Sequence, residues 1–167
     1  MRTLVGAIGY RNLRDHSVAF EVLDQLAGDD LGADVVLEDV SYNPIAVVQW
    51  LESDDDQAKF DRVILVSGIG RPGRAAGALT IREWDRLLPS DELIQQAIAE
   101  AVTGIISLDN TLVIAGYFRV LPASVTIVEI EPVDHAFGAE LSPAVSRSAV
   151  EAVSRIRAMT WAPWPIS

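Results

Sequence analysis

The hydrophobic positions of the chain alternate between short apolar runs and stripes of helical spacing. Thr3–Ile8 is a compact apolar run that ends in Gly9, which is typical of a buried parallel strand. Val35–Val40 and Val63–Val66 predict two further strands, and the alternating segment Val125–Glu131 predicts a fourth. Apolar positions between them recur every three or four residues, which predicts helices. Strands that alternate with helices favour an α/β domain with a largely parallel sheet covered on both faces.

Helix start and stop signals flank the apolar stripes. The stripe that begins at Val18 is followed by Gly28, which supplies a stop signal. Pro44 and Pro143 each stand at the first position of a predicted helix, where a missing N–H costs nothing. Ser90 is predicted to cap the helix between them.

Three segments follow the main pattern less closely. Thr111–Val120 is a short apolar run, and periodicity alone leaves it open as a buried strand or a buried helix. Ala78–Arg82 has the character of a short edge strand. Residues 161–167 contain two prolines and cannot continue the last helix, so we expect a single domain over residues 1–160 followed by a tail.

Length and composition restrict the class of protein. The 167 residues fit one domain, and the apolar runs fall short of the roughly 18 residues needed to cross a bilayer. The chain shows no signal-peptide pattern and has no cysteine, so we expect a cytoplasmic protein without disulfides or thiolate metal sites. Acidic residues outnumber basic ones by 24 to 13, and the resulting net charge of −11 disfavours binding to nucleic acid or anionic membranes.

Three loops follow predicted strands and are the candidate binding regions: Gly9–His16, Asp39–Asn43 and Ser67–Gly77. In open parallel sheets, ligands bind beyond the carboxyl ends of the strands. The first loop is the richest in polar side chains. Asp15 is placed to cap the first helix, and His16 lies at the mouth of the expected cleft, where an imidazole can bind a metal or transfer protons.

Two other motifs bear on the function. The loop after the third strand contains G-x-G-x-x-G as Gly68–Gly73, but a dinucleotide site needs a helix directly after it and a β-like segment follows. A flexible hairpin loop with exposed Arg71 and Arg74 is the preferred interpretation. A serine hydrolase is excluded because G-x-S-x-G is absent, and His135 is predicted to be a surface loop residue.

The first loop and the C-terminal third together resemble a known family. Leu4–Ala19 (LVGAIGYRNLRDHSVA) is similar to the G-x-G-N-x-L-x-x-D-D/E-x-x-G segment of the hydrogenase maturation endopeptidases. Glu129–Pro132, Phe137–Gly138 and Leu141–Val145 resemble the E-P…L-S/T-P-x-V segment of the same family, and Asp39 fits the acid that ends strand two. The resemblance covers nearly the whole chain.

The resemblance implies a fold and a reaction. The implied fold is a three-layer α/β domain, phosphorylase/hydrolase-like, with a twisted, mostly parallel five-stranded sheet between helices. It implies a helix over Thr111–Val120. The stretch Pro89–Gly104 is longer than the usual family connection, and an extra helix is expected there. Members of the family trim the C-terminal extension from the large subunit of nickel–iron hydrogenases, and they recognise the nickel that the substrate carries.

The implied metal-ligand positions are all substituted in this chain. The acidic ligand at the start of helix one falls on His16, the aspartate after strand three on Ser67, and the histidine before the later helix on Asp109. A serine hydroxyl is a poor ligand for a divalent first-row metal. We therefore predict either a rebuilt site of His16, Asp109 and Asp15 or a loss of peptidase activity. Asn12, Asp39 and Gly68 are predicted to line the cleft.

Two functions remain open at this point. One is a divergent maturation endopeptidase that uses the rebuilt metal site. The other is a binding protein, a chaperone or assembly factor that docks on the hydrogenase large subunit or its precursor. No tightly bound cofactor is expected in either case, since the nickel belongs to the substrate. A nucleotide-binding module on the Ser67–Gly77 loop is a distant third.

Overall fold

The computed structural model describes residues 1–52 and 59–161. The acidic run at positions 54–56 and residues 162–167 of the predicted tail lie outside the described residues. Trp161, the first residue of that predicted tail, is still helical and ends the last helix. No helix in the described part of the chain is long and apolar enough to cross a membrane.

The described residues form five strands and five α-helices. The strands are β1 (Thr3–Ile8), β2 (Val35–Asp39), β3 (Arg62–Gly68), β4 (Leu79–Glu83) and β5 (Ser124–Ile130). The helices are α1 (Val18–Ala27), α2 (Pro44–Leu51), α3 (Asp91–Val102), α4 (Leu108–Tyr117) and α5 (Pro143–Trp161), and a 3₁₀ turn at Arg14–Ser17 precedes α1. Strands and helices alternate except where β4 follows β3 and α4 follows α3.

The strands form one sheet in the order β2-β1-β3-β5-β4. β1, β2, β3 and β5 are parallel, and β4 runs antiparallel to β5 at the edge. The predicted three-layer α/β fold with a mostly parallel five-stranded sheet is therefore confirmed. The edge strand expected at Ala78–Arg82 is also confirmed, one residue later than predicted.

Helices cover both faces of the sheet, which explains the continuous apolar runs of the central strands. Successive side chains of a strand point to opposite faces. Val5 and Ala7 of β1 therefore pack with α1 and α5, whereas Leu4 and Ile8 pack with the layer of α2, α3 and α4. Every residue of β1, β3 and β5 is buried.

The helix boundaries agree with most of the predicted signals. Asn43 caps α2 by accepting a hydrogen bond from the Ile45 amide. The undecided segment Thr111–Val120 lies largely in α4, which confirms the helix, and Ser107 caps it through the Asn110 amide. Ser90 precedes α3 as predicted, but its side chain makes no capping hydrogen bond. The helix expected within Pro89–Gly104 is α3, which packs against α2 and α4.

Candidate functional site

The candidate site lies at the carboxyl ends of β1, β3 and β5, which are adjacent in the sheet. The turn Arg14–Ser17 follows β1, Ser67 and Gly68 end β3, and the loop 131–142 follows β5. The start of α4 adds Asp109 to the same region through its contact with Arg71. Two of the three loops predicted from sequence, Gly9–His16 and Ser67–Gly77, therefore meet here. The third, Asp39–Asn43, contacts the first loop, since the Gly9 amide donates a hydrogen bond of 2.9 Å to the Ser41 hydroxyl.

Two glycines let the His16 segment lie directly on the strand ends. A Cβ atom on Gly68 would lie 2.5 Å from the Asp15 carbonyl oxygen, and one on Gly9 would collide with the carbonyl of His16. The Tyr10 amide donates a hydrogen bond of 3.1 Å to that His16 carbonyl. Glycine is required at both positions because the backbones approach too closely for any side chain.

Asp15 does not cap α1, contrary to the prediction. Its carboxylate is fully buried and points away from that helix, toward the loop after β5. Oδ2 accepts hydrogen bonds from the amides of Val133 (2.8 Å) and Asp134 (2.7 Å), and Oδ1 accepts one from Ser142 (2.7 Å). Asp15 thus fastens the loop 131–142 to the first loop, which is a structural role.

Asp15 and Glu129 are the fully buried acids of the described residues, and both are charged in the folded protein. Burial alone would raise the pKa of Asp15, but the hydrogen bonds from Ser142, Asp134 and Val133 outweigh it and hold this pKa below its ordinary value. Burial likewise opposes ionisation of Glu129, but Arg71 and Arg74 hold its pKa below the ordinary range.

These two lowered pKa values predict acid sensitivity. A carboxyl group with a lowered pKa in the folded state contributes stability that is complete above its unfolded pKa and is lost as the pH falls through the folded one. The free energy of unfolding, measured in urea, is therefore expected to be flat above about pH 5 and to fall steeply below it. A free energy of unfolding that stays constant down to about pH 2.5 would contradict this assignment.

His16 is half-buried, and its ring is oriented by the end of β3. Nδ1 lies 3.1 Å from the carbonyl oxygen of Gly68. The ring centre of His135 is 5.5 Å from that of His16. His135 is an exposed loop residue, as predicted, but its position beside His16 was not predicted from the sequence.

Ser67 and Asp109, the other two residues that the resemblance aligns with metal ligands, offer little to a metal. Ser67 is only 3% exposed in β3, where it pairs in register with Glu129 of β5. Asp109 lies in the first turn of α4, and both of its carboxylate oxygens accept hydrogen bonds from Arg71, at 2.7 and 2.8 Å. This two-point contact matches the fork of a guanidinium to a carboxylate.

Arg71 and Arg74 are held in ion pairs, which corrects the prediction that they are merely exposed. Glu129 is fully buried, and its carboxylate lies 2.6 Å from Arg71 and 2.7 Å from Arg74. Arg82 of β4 approaches the same carboxylate at 3.4 Å. The hydrogen bonds to Asp109 and Glu129 raise the pKa of Arg71 further above its ordinary value, so the guanidinium is a permanent positive charge.

Besides its ion pairs with Glu129, the Gly68–Gly77 loop is held by a hydrogen bond from a backbone amide. The amide of Arg71 donates a hydrogen bond of 2.8 Å to Oε2 of Glu131. The loop leads into β4 and not into a helix, so no helix N-terminus faces a phosphate at the G-x-G-x-x-G string. The nucleotide alternative therefore gains no support from the geometry.

The described residues contain no group of three or more histidine, aspartate or glutamate side chains arranged to hold a metal ion. His16, Asp109 and Asp15 do not form such a group. Both carboxylate oxygens of Asp15 accept hydrogen bonds from backbone amides, and both oxygens of Asp109 accept hydrogen bonds from Arg71. Metal binding by those three residues stays a prediction.

The other predicted cleft residues, Asn12 and Asp39, lie in or beside the first loop. Asn12 adopts a left-handed backbone conformation (φ of 62°), and its carbonyl accepts a hydrogen bond from Gly138. Asp39 forms an ion pair of 3.2 Å with Arg11 beside the end of β2. Tyr10 reaches across to the segment before α4, where its hydroxyl donates to the Ile106 carbonyl at 2.7 Å.

Sequence reasoning missed Glu129 as a site residue. The available signal was its place in the E-P segment that resembles the maturation endopeptidases, together with its charge between the apolar residues Val128 and Ile130. An acid in a buried strand needs a cationic partner. The partner loop could have been inferred from the two arginines that follow the neighbouring strand.

Comparison with known proteins gives a consistent result for the fold. No protein-family model matches the sequence, and no curated protein matches it. Among solved structures, the hydrogenase maturating endopeptidase HybD from E. coli superposes with a TM-score of 0.70 at 19% identity, over 95% of this chain and 91% of that one.

Two archaeal structures agree. The hydrogenase 2 maturation peptidase from a Thaumarchaeota archaeon matches with a TM-score of 0.65 at 21% identity, over 96% of this chain and 99% of that one. The [NiFe] hydrogenase maturation protease HycI from Thermococcus kodakarensis matches with a TM-score of 0.68 at 18% identity, over 95% and 92%. The chain therefore has, over nearly its whole length, the fold of the hydrogenase maturation peptidases.

Proposed function

We propose that this protein acts in hydrogenase maturation by binding the large subunit of a nickel–iron hydrogenase, or its precursor, without cutting it. The fold and the motifs of the first loop support the maturation role. The observation that supports binding without cutting is the pairing of Asp109 with Arg71. The Asp109 carboxylate, at a position that the resemblance assigns to a metal ligand, is occupied at both oxygens by Arg71.

The other ligand positions support the same conclusion. Ser67 is neutral and buried in β3, so it adds neither charge nor a good donor atom for a divalent metal. Asp15 is the nearest acid in sequence to His16, and its oxygens are committed to three backbone amides. The resemblance implies that nickel is recognised through a carboxylate, an aspartate and a histidine. In this chain His16 offers an imidazole, but Ser67 has no carboxylate and the carboxylate of Asp109 is bound to Arg71.

The rim of the cleft is suited to binding a protein. Phe137 is 84% exposed in the loop 131–142, and Val133 in the same loop is 48% exposed. Tyr10 and Ile105 expose 42% and 49% of their surface on the other loops of the rim. Exposed apolar side chains that surround a polar cleft are typical of a protein-docking surface.

Phe137 allows a direct test of this docking surface. We expect Phe137→Ala to weaken binding to the large-subunit precursor by roughly tenfold or more, because exposed aromatic anchors dominate such interfaces. Leu87→Ala is the matched control, since Leu87 is an apolar side chain that is 76% exposed. It follows β4 at the amino end of β5, where Arg86 contacts the Ala123 carbonyl, whereas the candidate site lies at the carboxyl end of β5.

The binding is measured by calorimetry or analytical size exclusion with the precursor from the same organism. Supporting results are a complex with the wild-type protein and with Leu87→Ala, and a weaker one with Phe137→Ala. The docking role is refuted by the absence of any complex, or by equal binding of both variants.

A further inference from the structure

The two histidines of the chain lie side by side although they are far apart in sequence. His16 belongs to the turn before α1, and His135 belongs to the loop after β5. Their ring centres are 5.5 Å apart, and the ring planes are inclined by 55°. The amides of Val133 and Asp134 hydrogen-bond to Asp15, so the loop that carries His135 is anchored beside the residue that precedes His16.

The contact of His16 with Gly68 settles which ring nitrogen is free. Nδ1 of His16 lies 3.1 Å from the Gly68 carbonyl oxygen, and a carbonyl oxygen can only accept a hydrogen bond. In the neutral ring the proton must therefore sit on Nδ1, and Nε2 keeps its lone pair. A histidine that donates its other N–H to a backbone carbonyl is the usual arrangement of a metal-binding imidazole, because the bond fixes both tautomer and ring orientation.

The separation of the rings matches two ligands of one ion. A metal–nitrogen bond of about 2.0–2.1 Å places the metal roughly 3 Å from each ring centre. Two imidazoles bound to the same ion therefore have ring centres about 5–6 Å apart. The separation of 5.5 Å falls in this range, and the inclined planes keep the rings from stacking face to face.

The surrounding charges do not oppose a cation. Arg14 is the basic residue of the same turn, and it forms an ion pair of 2.8 Å with Asp134, next to His135. Three arginines, Arg71, Arg74 and Arg82, face Glu129. The carboxylates of Asp109 and Glu131 also bind Arg71, so three acids balance the three arginines. The whole chain carries a formal net charge of −11, which further favours a cation over an anion.

We propose that His16 and His135 form a two-imidazole binding site for a divalent transition-metal ion such as Ni²⁺, Cu²⁺ or Zn²⁺. Imidazole nitrogen suits these ions, whereas Mg²⁺ and Ca²⁺ prefer oxygen ligands. The chain supplies two ligands, and the other coordination positions stay open to water or to a donor group of a bound molecule. His135 thus takes the place that the sequence analysis gave to Asp109 and Asp15.

This site is tested on the purified, tag-free protein with metal salts alone, so the result does not depend on the proposed hydrogenase partner. Calorimetric titration with NiCl₂ and CuCl₂ is expected to give one ion per chain. His16→Ala and His135→Ala are each expected to lower the affinity at least about tenfold, since each removes one of two ligands. The Cu²⁺ complex is expected to show two coordinated nitrogens by electron paramagnetic resonance.

Glu140→Gln is the matched control, because it changes an exposed side chain of the same loop and removes neither histidine. It is expected to bind metal as the wild type does. His135 is exposed, so His135→Ala keeps the test valid even if the half-buried His16 does not tolerate substitution. Wild-type affinity in His135→Ala, or no difference between the wild type and the double histidine variant, would overturn the site.

Discussion

Replacing Asp15 by asparagine is expected to lower the free energy of unfolding by about 3 kcal/mol. Three backbone amides, those of Val133, Asp134 and Ser142, share the two oxygens of this fully buried carboxylate. Asparagine keeps one acceptor oxygen and places an NH₂ group where the other oxygen stood. At least one buried amide then loses its acceptor, and the charge that strengthened the remaining bonds is gone.

Asp24→Asn is the control for this variant. Asp24 is exposed on α1, so its neutralisation changes the net charge equally and is expected to shift the free energy of unfolding by less than about 0.5 kcal/mol. Urea unfolding at pH 7 followed by circular dichroism measures both variants. Equal stability of the two would show that Asp15 does not hold the loop 131–142.

Replacing Glu129 by glutamine is expected to destabilise the fold by about 3–5 kcal/mol. Glu129 is the fully buried acid that faces Arg71, Arg74 and Arg82, and without its charge three guanidinium groups lose a common partner. Breaking a buried ion pair from one side costs more than removing the pair, because the surviving charge stays desolvated.

A double-mutant cycle tests the same contact more specifically. Glu129→Gln combined with Arg74→Gln is expected to cost at least about 1 kcal/mol less than the sum of the two single changes, because the paired groups are in direct contact. The matched control is Glu140→Gln, an exposed acid for which a change below about 0.5 kcal/mol is expected. Strict additivity of the Glu129 and Arg74 changes would contradict the buried ion pair.

Much of the fold could be predicted from the sequence because the burial of a strand or helix determines the local pattern of its apolar residues. β1 and β3 are covered on both faces, so their apolar residues are contiguous and mark the strands directly. Periodicity alone leaves α4 undecided, since four of the five residues from Thr111 to Ala115 are buried. The resemblance to a family decided it correctly.

The site was predicted less well because its contacts are long-range. Asp15 has the position of a helix cap, and its actual partners lie more than a hundred residues later in the chain. Arg71 occurs in a glycine-rich loop that is usually solvated, and only the pairing of β3 with β5 brings it to Glu129. The neighbourhood of His16 and His135 likewise depends on a loop that no local pattern places.

On the proposed function, the protein binds a hydrogenase large-subunit precursor and leaves it intact. The most direct measurement is the mass of the nickel-loaded precursor after incubation with this protein, determined by intact-protein mass spectrometry, with a cleavage-competent maturation peptidase as the positive control. The proposed function predicts an unchanged precursor mass together with a complex that survives size exclusion. A precursor shortened at its C-terminus would contradict it.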